Sequence, residues 1–393
     1  MIEHLRTHFN KDYSKAKQTR VLSELTQVTG KAPDFQISQS PIFLTLALKQ
    51  KLKETCEAII DQVFKLPSSL MDQAVPSHLK VPNCSARPHF LAIDFALCQD
   101  KEADVIPQLI ELQGFPSLMA FQYELTKAFV STYPFLESLE PSWDLSNRLE
   151  LLKSVLLGPY DPKEVVLLEL FPQKQKTQID FALTEHHFGI RTLCITEIKK
   201  EGKTLYYTAQ GKKHPIRRLY NRVIFDELAR HPHLDLAFNF QDDLDLDWVT
   251  HPDWFFKISK NILPELEHRY IPKSYRLSEF EKRDELDTYV LKPLFSFAGS
   301  GVNLEPTQSD LDQIKDPENY ILQKKVRYAP LFKDLESQYS KAEIRLLYLW
   351  PDNAQHPVLF DTIVRMTKSN MANMDFNKKQ ALWTGSSAAF FAP

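Results

Sequence analysis

Apolar side chains at Leu46, Ala47, Leu52, Ile59, Ile60 and Val63 recur at roughly helical spacing. They form the clearest amphipathic stretch in a region, residues 1–80, that reads as mostly helical. Two apolar runs with strand character follow, Phe90–Leu97 and Gln108–Leu112. The polar segment Gln99-Asp100-Lys101-Glu102-Ala103-Asp104 lies between them, so a hairpin is expected. Phe121–Val130 reads as helix, and Leu136–Leu157 is expected to continue as helix after Pro141. Gly158-Pro159-Tyr160-Asp161-Pro162 is a turn-dense boundary. Beyond it, Val165–Leu170 is an unbroken apolar run, suited to a parallel strand covered on both faces. A helix at Thr177–His187, a strand at Arg191–Ile195, a hairpin-like stretch around Gly202 and a helix at Val223–Ala229 preceded by Arg217–Tyr220 give an α/β unit of Rossmann-like order. Gln241–Asp247 reads as a solvated acidic loop or helix start, and Phe255–Leu266 as helix. From Tyr289 the chain is strand-rich, at Tyr289–Leu291, Tyr320–Gln323, Ile344–Leu349 and Val358–Met366.

At 393 residues the chain is long for one hydrophobic core, and the pattern divides it into 1–157, 158–250 and 251–393. A net charge of −3 argues against a nucleic-acid partner, which would usually need a basic excess. The four cysteines are scattered with no C-x-x-C, as expected of reduced thiols in a cytoplasmic protein. Met1–Asp12 is polar and lacks the apolar stretch of a secretory leader. No apolar run approaches the ~20 residues of a membrane span, so no membrane partner is expected. His186-His187 and His231-Pro232-His233 have no companions at useful spacing.

The candidate chemistry begins at Tyr289, in Y-V-L-K-P-L-F-S-F-A-G-S-G-V. A short strand delivers Lys292, Pro293 stops it, and a loop from Ser296 to Gly301 contains Gly299, Ser300 and Gly301. A lysine beside a glycine-bearing loop suits a polyphosphate, because glycines let backbone N–H groups approach the anion. The sequence is neither a P-loop nor a dinucleotide fingerprint. The same residues also describe an ordinary strand and turn. In the first third, Asp94 sits in F-L-A-I-D-F-A-L, and Glu111 and Gln113 sit two apart in P-Q-L-I-E-L-Q-G. On a strand, Glu111 and Gln113 point to one face. Acids embedded in adjacent apolar strands need a cation or donor to compensate them; a lysine would also serve.

Taken together, the two pieces resemble the nucleotide site of ATP-grasp enzymes in circularly permuted order, as in the glutathionylspermidine synthase-like carboxylate–amine ligases. The resemblance covers about residues 85–120 and 255–390. It implies an α+β protein with an ATP-grasp fold and a Rossmann-like α/β subdomain. The closing strands of the grasp domain would precede the rest, behind N-terminal helices. It implies an ADP-forming ligase that uses ATP and Mg2+ to join a carboxylate to an amine or thiol through an acyl phosphate. Asp94, Glu111 and Gln113 would hold magnesium, and Lys292 and Lys260 would bind phosphates. The Ser296–Gly301 loop would cover them, and Gln323-Lys324-Lys325-Val326 would meet the adenine edge. Arg365 would act on the transferring phosphoryl group, supported by Arg345 from the Glu343-Ile344-Arg345 strand. Asn373, in a polar loop with Asn370, would contact nucleotide or substrate. The chain departs from the pattern at Gln113, where relatives have Asn, and at Lys324-Lys325, where many have an acid. Gly114-Phe115-Pro116 also lacks the arginine that many relatives place nearby. An ATP-binding protein without ligase chemistry is the alternative, as is a purely structural pairing of these acids and lysines.

Overall fold

Thr45 ends a four-residue strand, and its hydroxyl accepts from the Leu48 N–H at 3.2 Å. This satisfies one of the orphan donors at the start of the helix Leu46–Val63. Leu52, Ile59, Ile60 and Val63 of the expected stripe are buried along that helix, joined by Leu48 and Cys56, whereas Leu46 is half-buried and Ala47 exposed. The computed structural model describes residues 2–141, 147–281, 283–296, 299–369 and 381–393.

The expected hairpin is present. Strand β1 (Phe90–Gln99) pairs antiparallel with β2 (Val105–Gln113). Its connection is fixed by Asp100, whose Oδ1 accepts from the Glu102 and Asp104 N–H groups at 3.1 and 2.9 Å. Farther along, β3 (Ser274–Arg276), β4 (Tyr289–Pro293) and β5 (Tyr320–Lys324) form a small antiparallel sheet with β5 in the middle. The remaining long strands, β6 (Tyr339–Leu349) and β7 (Val358–Thr367), run antiparallel, with β8 (Gly385–Ser387) beyond them. They join the early hairpin, so the main sheet reads β8-β7-β6-β1-β2. Strands from the first and last thirds of the chain are therefore direct neighbours. One large apolar cluster spans both thirds, from Phe9 and Phe43 to Phe390 and Phe391.

A second cluster fills the α/β unit. Val165–Glu169 lies between Arg191–Cys194 and Arg218–Asn221, with Asp247–Val249 outside the latter, and all neighbours are parallel. The helix expected at Thr177–His187 runs Gln178–Phe188 and ends at Gly189 in the left-handed conformation. The hairpin around Gly202 has a third strand, Lys212–Ile216.

Four local expectations need correction. The region after Leu136 is not one helix: Pro134–Ser138 is a 3-10 turn, Glu140–Pro141 pairs with the C-terminal strand, and α-helix resumes only at Arg148–Leu157. Phe255–Leu266 splits into the single helical turn Trp254–Lys257 and a 3-10 segment, Lys260–Glu265. Extended Ser259 divides them and caps the second with its hydroxyl, and Pro264 has no N–H to continue an α-helix. Arg218–Asn221 is a strand, so the helix that follows is only Phe225–Ala229. Asp247–Val249 is also a strand, at the end of what reads as a solvated loop, because Trp248 and Val249 complete the parallel sheet.

Gly385 is held at φ +111°, and a Cβ there would lie 2.3 Å from the Gln36 carbonyl oxygen. The Gly385→Ala change should therefore destabilise the protein by on the order of 3 kcal/mol. Gly211→Ala has a left-handed φ but open space, and should cost about 1 kcal/mol. Chemical denaturation of both variants checks this; equal losses would show that the close approach at Gly385 is unimportant.

Candidate active site

Side chains alternate along a strand, so the polar members of the main sheet fall on one face. The register sets Asp94 opposite Glu111 on one side and opposite Arg345 on the other. Two residues from Arg345, Glu343 lies opposite Arg365. A charged row thus crosses four strands, with the acids Glu111 and Asp94 side by side and arginines on the two strands beyond. Asp94 is fully buried. Arg345 donates to it through two parallel bonds, Nε to Oδ1 and Nη2 to Oδ2, both 2.6 Å. Arg365 Nη2 bridges Asp94 Oδ2 and Glu343 Oε1. The Tyr328 hydroxyl donates to Glu343 Oε2 at 2.7 Å. Burial works to raise the Asp94 carboxyl, but Arg345 and Arg365 outweigh it and hold the group below the usual range. For Glu343 burial wins over Arg365 and the carboxyl is pushed up. Burial opposes the charge on Arg365, but Glu343 and Asp94 more than offset it and raise its pKa.

The second sheet meets this row at a fault in the ladder. After Asp94–Glu111 the register slips, so that Phe95 faces Leu109 and Ile110 is an extra residue, a β-bulge. The Ile110 carbonyl accepts from Lys292 Nζ at 3.1 Å. Lys292, on β4, also donates to Gln323 Oε1 on β5 at 2.5 Å. Gln323 in turn donates to the Leu109 carbonyl at 3.4 Å. Lys292 is 8% exposed, and burial lowers its pKa to about 8 against the opposing pull of Glu111. Lys260 opens the 3-10 segment; just before it, the Ile258 carbonyl accepts from the Gly114 N–H at 2.9 Å. Its Nζ is 3.7 Å from Glu111 Oε2 and 3.3 Å from the Ser296 carbonyl. Lys260 is buried, not a solvent-facing helix lysine. Gln113 donates to Glu111 Oε1.

The structure therefore brings Asp94, Glu111, Gln113, Lys260, Lys292, Ser296, Gln323, Arg345 and Arg365 together. Ser296 Oγ is buried there with no partner among the described residues. Gly299 and Gly301 have left-handed φ values of 76° and 72° in the turn beyond, with Ser300 exposed between them. Lys324 points elsewhere, to Thr288 Oγ1 at 2.9 Å and Glu285 at 3.4 Å, over the Tyr289 ring. Lys325 is tied to the Asp287 carbonyl, and Val326 is half-buried. Asn373 and Asn370 lie outside the described residues. The residues missed in the sequence are Tyr328 and the Ile110 carbonyl; neither carries a signal there, since a bulge is created by pairing.

Four cationic side chains, Lys260, Lys292, Arg345 and Arg365, face three carboxylates, Asp94, Glu111 and Glu343. The balance suits an anion. Magnesium is usually held by one or two carboxylates together with substrate phosphates. Glu111, with about a fifth of its side chain exposed, and Gln113 supply oxygen donors that fit such an ion. Asp94 fits poorly as a ligand, because both of its oxygens are taken by guanidinium groups. The expectation groups Asp94 with Glu111 and Gln113 as magnesium ligands, and in this structure its oxygens accept from Arg345 and Arg365.

No family model matches the chain, and no curated protein does. Among solved structures the chain is similar to a glutathione synthetase-like effector from Globodera pallida in its apo form. The TM-score is 0.58 over 96% of each chain, at 10% identity. The likeness is one of fold, a mixed α+β architecture compatible with an ATP-grasp-like arrangement. Among the described residues no helix is long and apolar enough to cross a membrane.

Two measurements probe this network. Asp94→Ala strands Arg345 in the interior and should destabilise the fold by about 3–5 kcal/mol in denaturant unfolding; a loss under about 1 kcal/mol would mean the row is not a structural clamp. Lys292 titrates near 8 when folded and near 10.5 ordinarily. Between those values the unfolded chain binds the extra proton, so stability from this group rises with pH from about 8 to about 10.5. Unfolding measured across that window should show the rise in the wild type, and Lys292→Met should flatten it.

Proposed function

We propose that the chain is an ATP- and magnesium-dependent ligase of ATP-grasp type, joining a carboxylate to an amine or thiol with release of ADP. The observation that carries this reading is the convergence of Lys292 on Ile110 and Glu111, across 182 residues of sequence, beside Lys260 and the Ser296 loop. Strands from the first third complete a sheet with strands from the last third, which fits a circularly permuted order. The fold likeness to a glutathione synthetase-like protein agrees with a ligase.

In this reading Lys292 and Lys260 bind the phosphates, and the Ser296–Gly301 loop closes over them to exclude water. Glu111 and Gln113 would hold magnesium, which would supply charge neutralisation at the phosphates. Arg365 is the arginine placed to meet developing negative charge, since a quarter of its side chain is exposed against about a tenth for Arg345. Asp94 fixes Arg345 and shares Arg365, so it is a positioning residue. The acceptor is an amino-acid or peptide-like amine by analogy with ligases of this type. A second reading, nucleotide binding without ligation, is favoured by the Asp94 clamp and by the hinge lysines being engaged with Thr288 and Asp287.

Thermal unfolding with ATP and magnesium together, and with each alone, tests the site. A ligand at 100 times its dissociation constant stabilises the native state by about 2.7 kcal/mol. A magnesium-dependent shift should appear in the wild type and be lost in Lys292→Met and Glu111→Gln. Absence of any shift in a folded wild type would overturn the nucleotide reading. A shift without ADP formation across panels of carboxylates and amines would leave the binding reading in place of the ligase.

A further inference from the structure

A second cluster lies where the α/β unit meets the start of β1. Asp247–Val249 ends in Thr250 at a left-handed φ of 57°, which turns the chain so that His251 and Asp253 face the loop Val81–Ser85. Ligand-type atoms of Cys84, His251 and Asp253 all lie within 4.8 Å of one another. His251 and Asp253 are wholly buried, and Cys84 is partly open to solvent.

The surroundings are built. Val81 N–H donates to Asp253 Oδ1 at 3.0 Å, and Trp254 Nε1 donates to Ser85 Oγ at 3.2 Å. His251 Nε2 lies 3.0 Å from the Pro82 carbonyl, which can only accept. That contact places the ring proton on Nε2 and leaves Nδ1 as the lone-pair nitrogen. Nδ1 accepts from the Asp253 N–H at 3.2 Å, a bond an incoming metal would have to displace, and lies 3.9 Å from Asp253 Oδ1. Asp253 Oδ2 is buried with no hydrogen-bond partner among the described residues. An orphaned buried carboxylate oxygen calls for a missing water or ion.

We propose that Cys84, His251 and Asp253 form a binding site for a borderline-soft divalent cation, with zinc the best chemical match. A thiolate, an imidazole and a carboxylate are its usual ligand types, and three protein ligands with one open position is a common zinc arrangement. The Pro82 carbonyl on Nε2–H is the kind of outer contact that fixes a ligating histidine. Binding releases the Cys84 thiol proton to solvent. One cation already competes: Lys257 Nζ is 3.4 Å from Cys84 Sγ and 2.8 Å from Asp72 Oδ1. It swings toward Asp72 when the metal enters. The metal would tie the Val81–Ser85 loop to the turn Trp254–Lys257, whose Trp254 carbonyl packs against Gly114.

The test is titration of the full chain, stripped with a chelator, with cobalt(II) and then zinc. The readouts are the thiolate-to-cobalt charge-transfer band and the thermal midpoint. One cobalt per chain with a charge-transfer band displaced by zinc is expected. Cys84→Ser should abolish the band, and Asp253→Asn should weaken binding at least about tenfold. Lys257→Met removes the competing ammonium and should tighten binding, which keeps the test open if a ligand variant fails to fold. No charge-transfer band in the folded wild type, or binding indifferent to Cys84→Ser and Lys257→Met, would overturn the site and leave Lys257 as the permanent cation there.

Discussion

Asp94 is the constraint on which the rest of the site depends. A carboxylate with no solvent exposure is intolerable unless opposite charge and donors surround it. Here a bidentate guanidinium on one neighbouring strand and a second guanidinium one strand farther meet that need. The partners come from β6 and β7, some 250 residues away in sequence, so the charge can be satisfied only in one register of the main sheet. A slip of one residue would turn Asp94 into the opposite, apolar layer with Ile93 and Phe95. Buried ionic rows contribute little net stability compared with apolar packing. Their effect here is to specify which strands pair and where, and therefore where Glu111, Glu343 and the arginines stand.

The fault at Ile110 follows from the same row. With Asp94 locked opposite Glu111, the extra residue frees a carbonyl and a turn of edge for the second sheet to contact. Lys292 is nearly buried and still requires acceptors, and it takes that carbonyl and the Gln323 amide oxygen. Its desolvated ammonium is held near neutrality on the pH scale, at about 8. Such a group gains from an anion more than an exposed lysine does, because an incoming charge offsets a desolvation already incurred on folding. Lys260, buried on its 3-10 segment, is paired with Glu111 at 3.7 Å.

Much of this was legible in the sequence. The Phe90–Gln113 hairpin, the parallel run from Val165 and the late strands each carry a period and flanking turn residues that fix their type. Lys292 and the Asp94–Glu111 pair stand out because charge is costly in apolar runs. What was not legible is what pairing creates: the bulge, the capture of Asp94 by Arg345 and Arg365, and the rotation of Lys324 away toward Thr288. The split of Phe255–Leu266 was hidden because periodicity reports apolar spacing, whereas Ser259 and Pro264 break the helix through the backbone. Cys84 and His251 lie 167 positions apart, so no local spacing could join them.

The charge balance bears on how the site divides its work. If Asp94 were a metal ligand, a cation would have to displace guanidinium groups that are covalently fixed nearby and largely buried. The net charge is the same in either place, two arginines, two lysines and a metal against three acids, but Arg345 would lose its bidentate partner and Arg365 one of its two acceptors. If Glu111 and Gln113 alone face the metal, the Asp94–Arg345 pair stays intact and Arg365 retains one exposed edge toward an anion. The second arrangement needs no rearrangement of the buried row. It also assigns the departure from the ligase pattern, Gln113 in place of Asn, to the part of the site that bears directly on metal affinity, so the longer amide would have to compensate for a ligand that Asp94 does not supply.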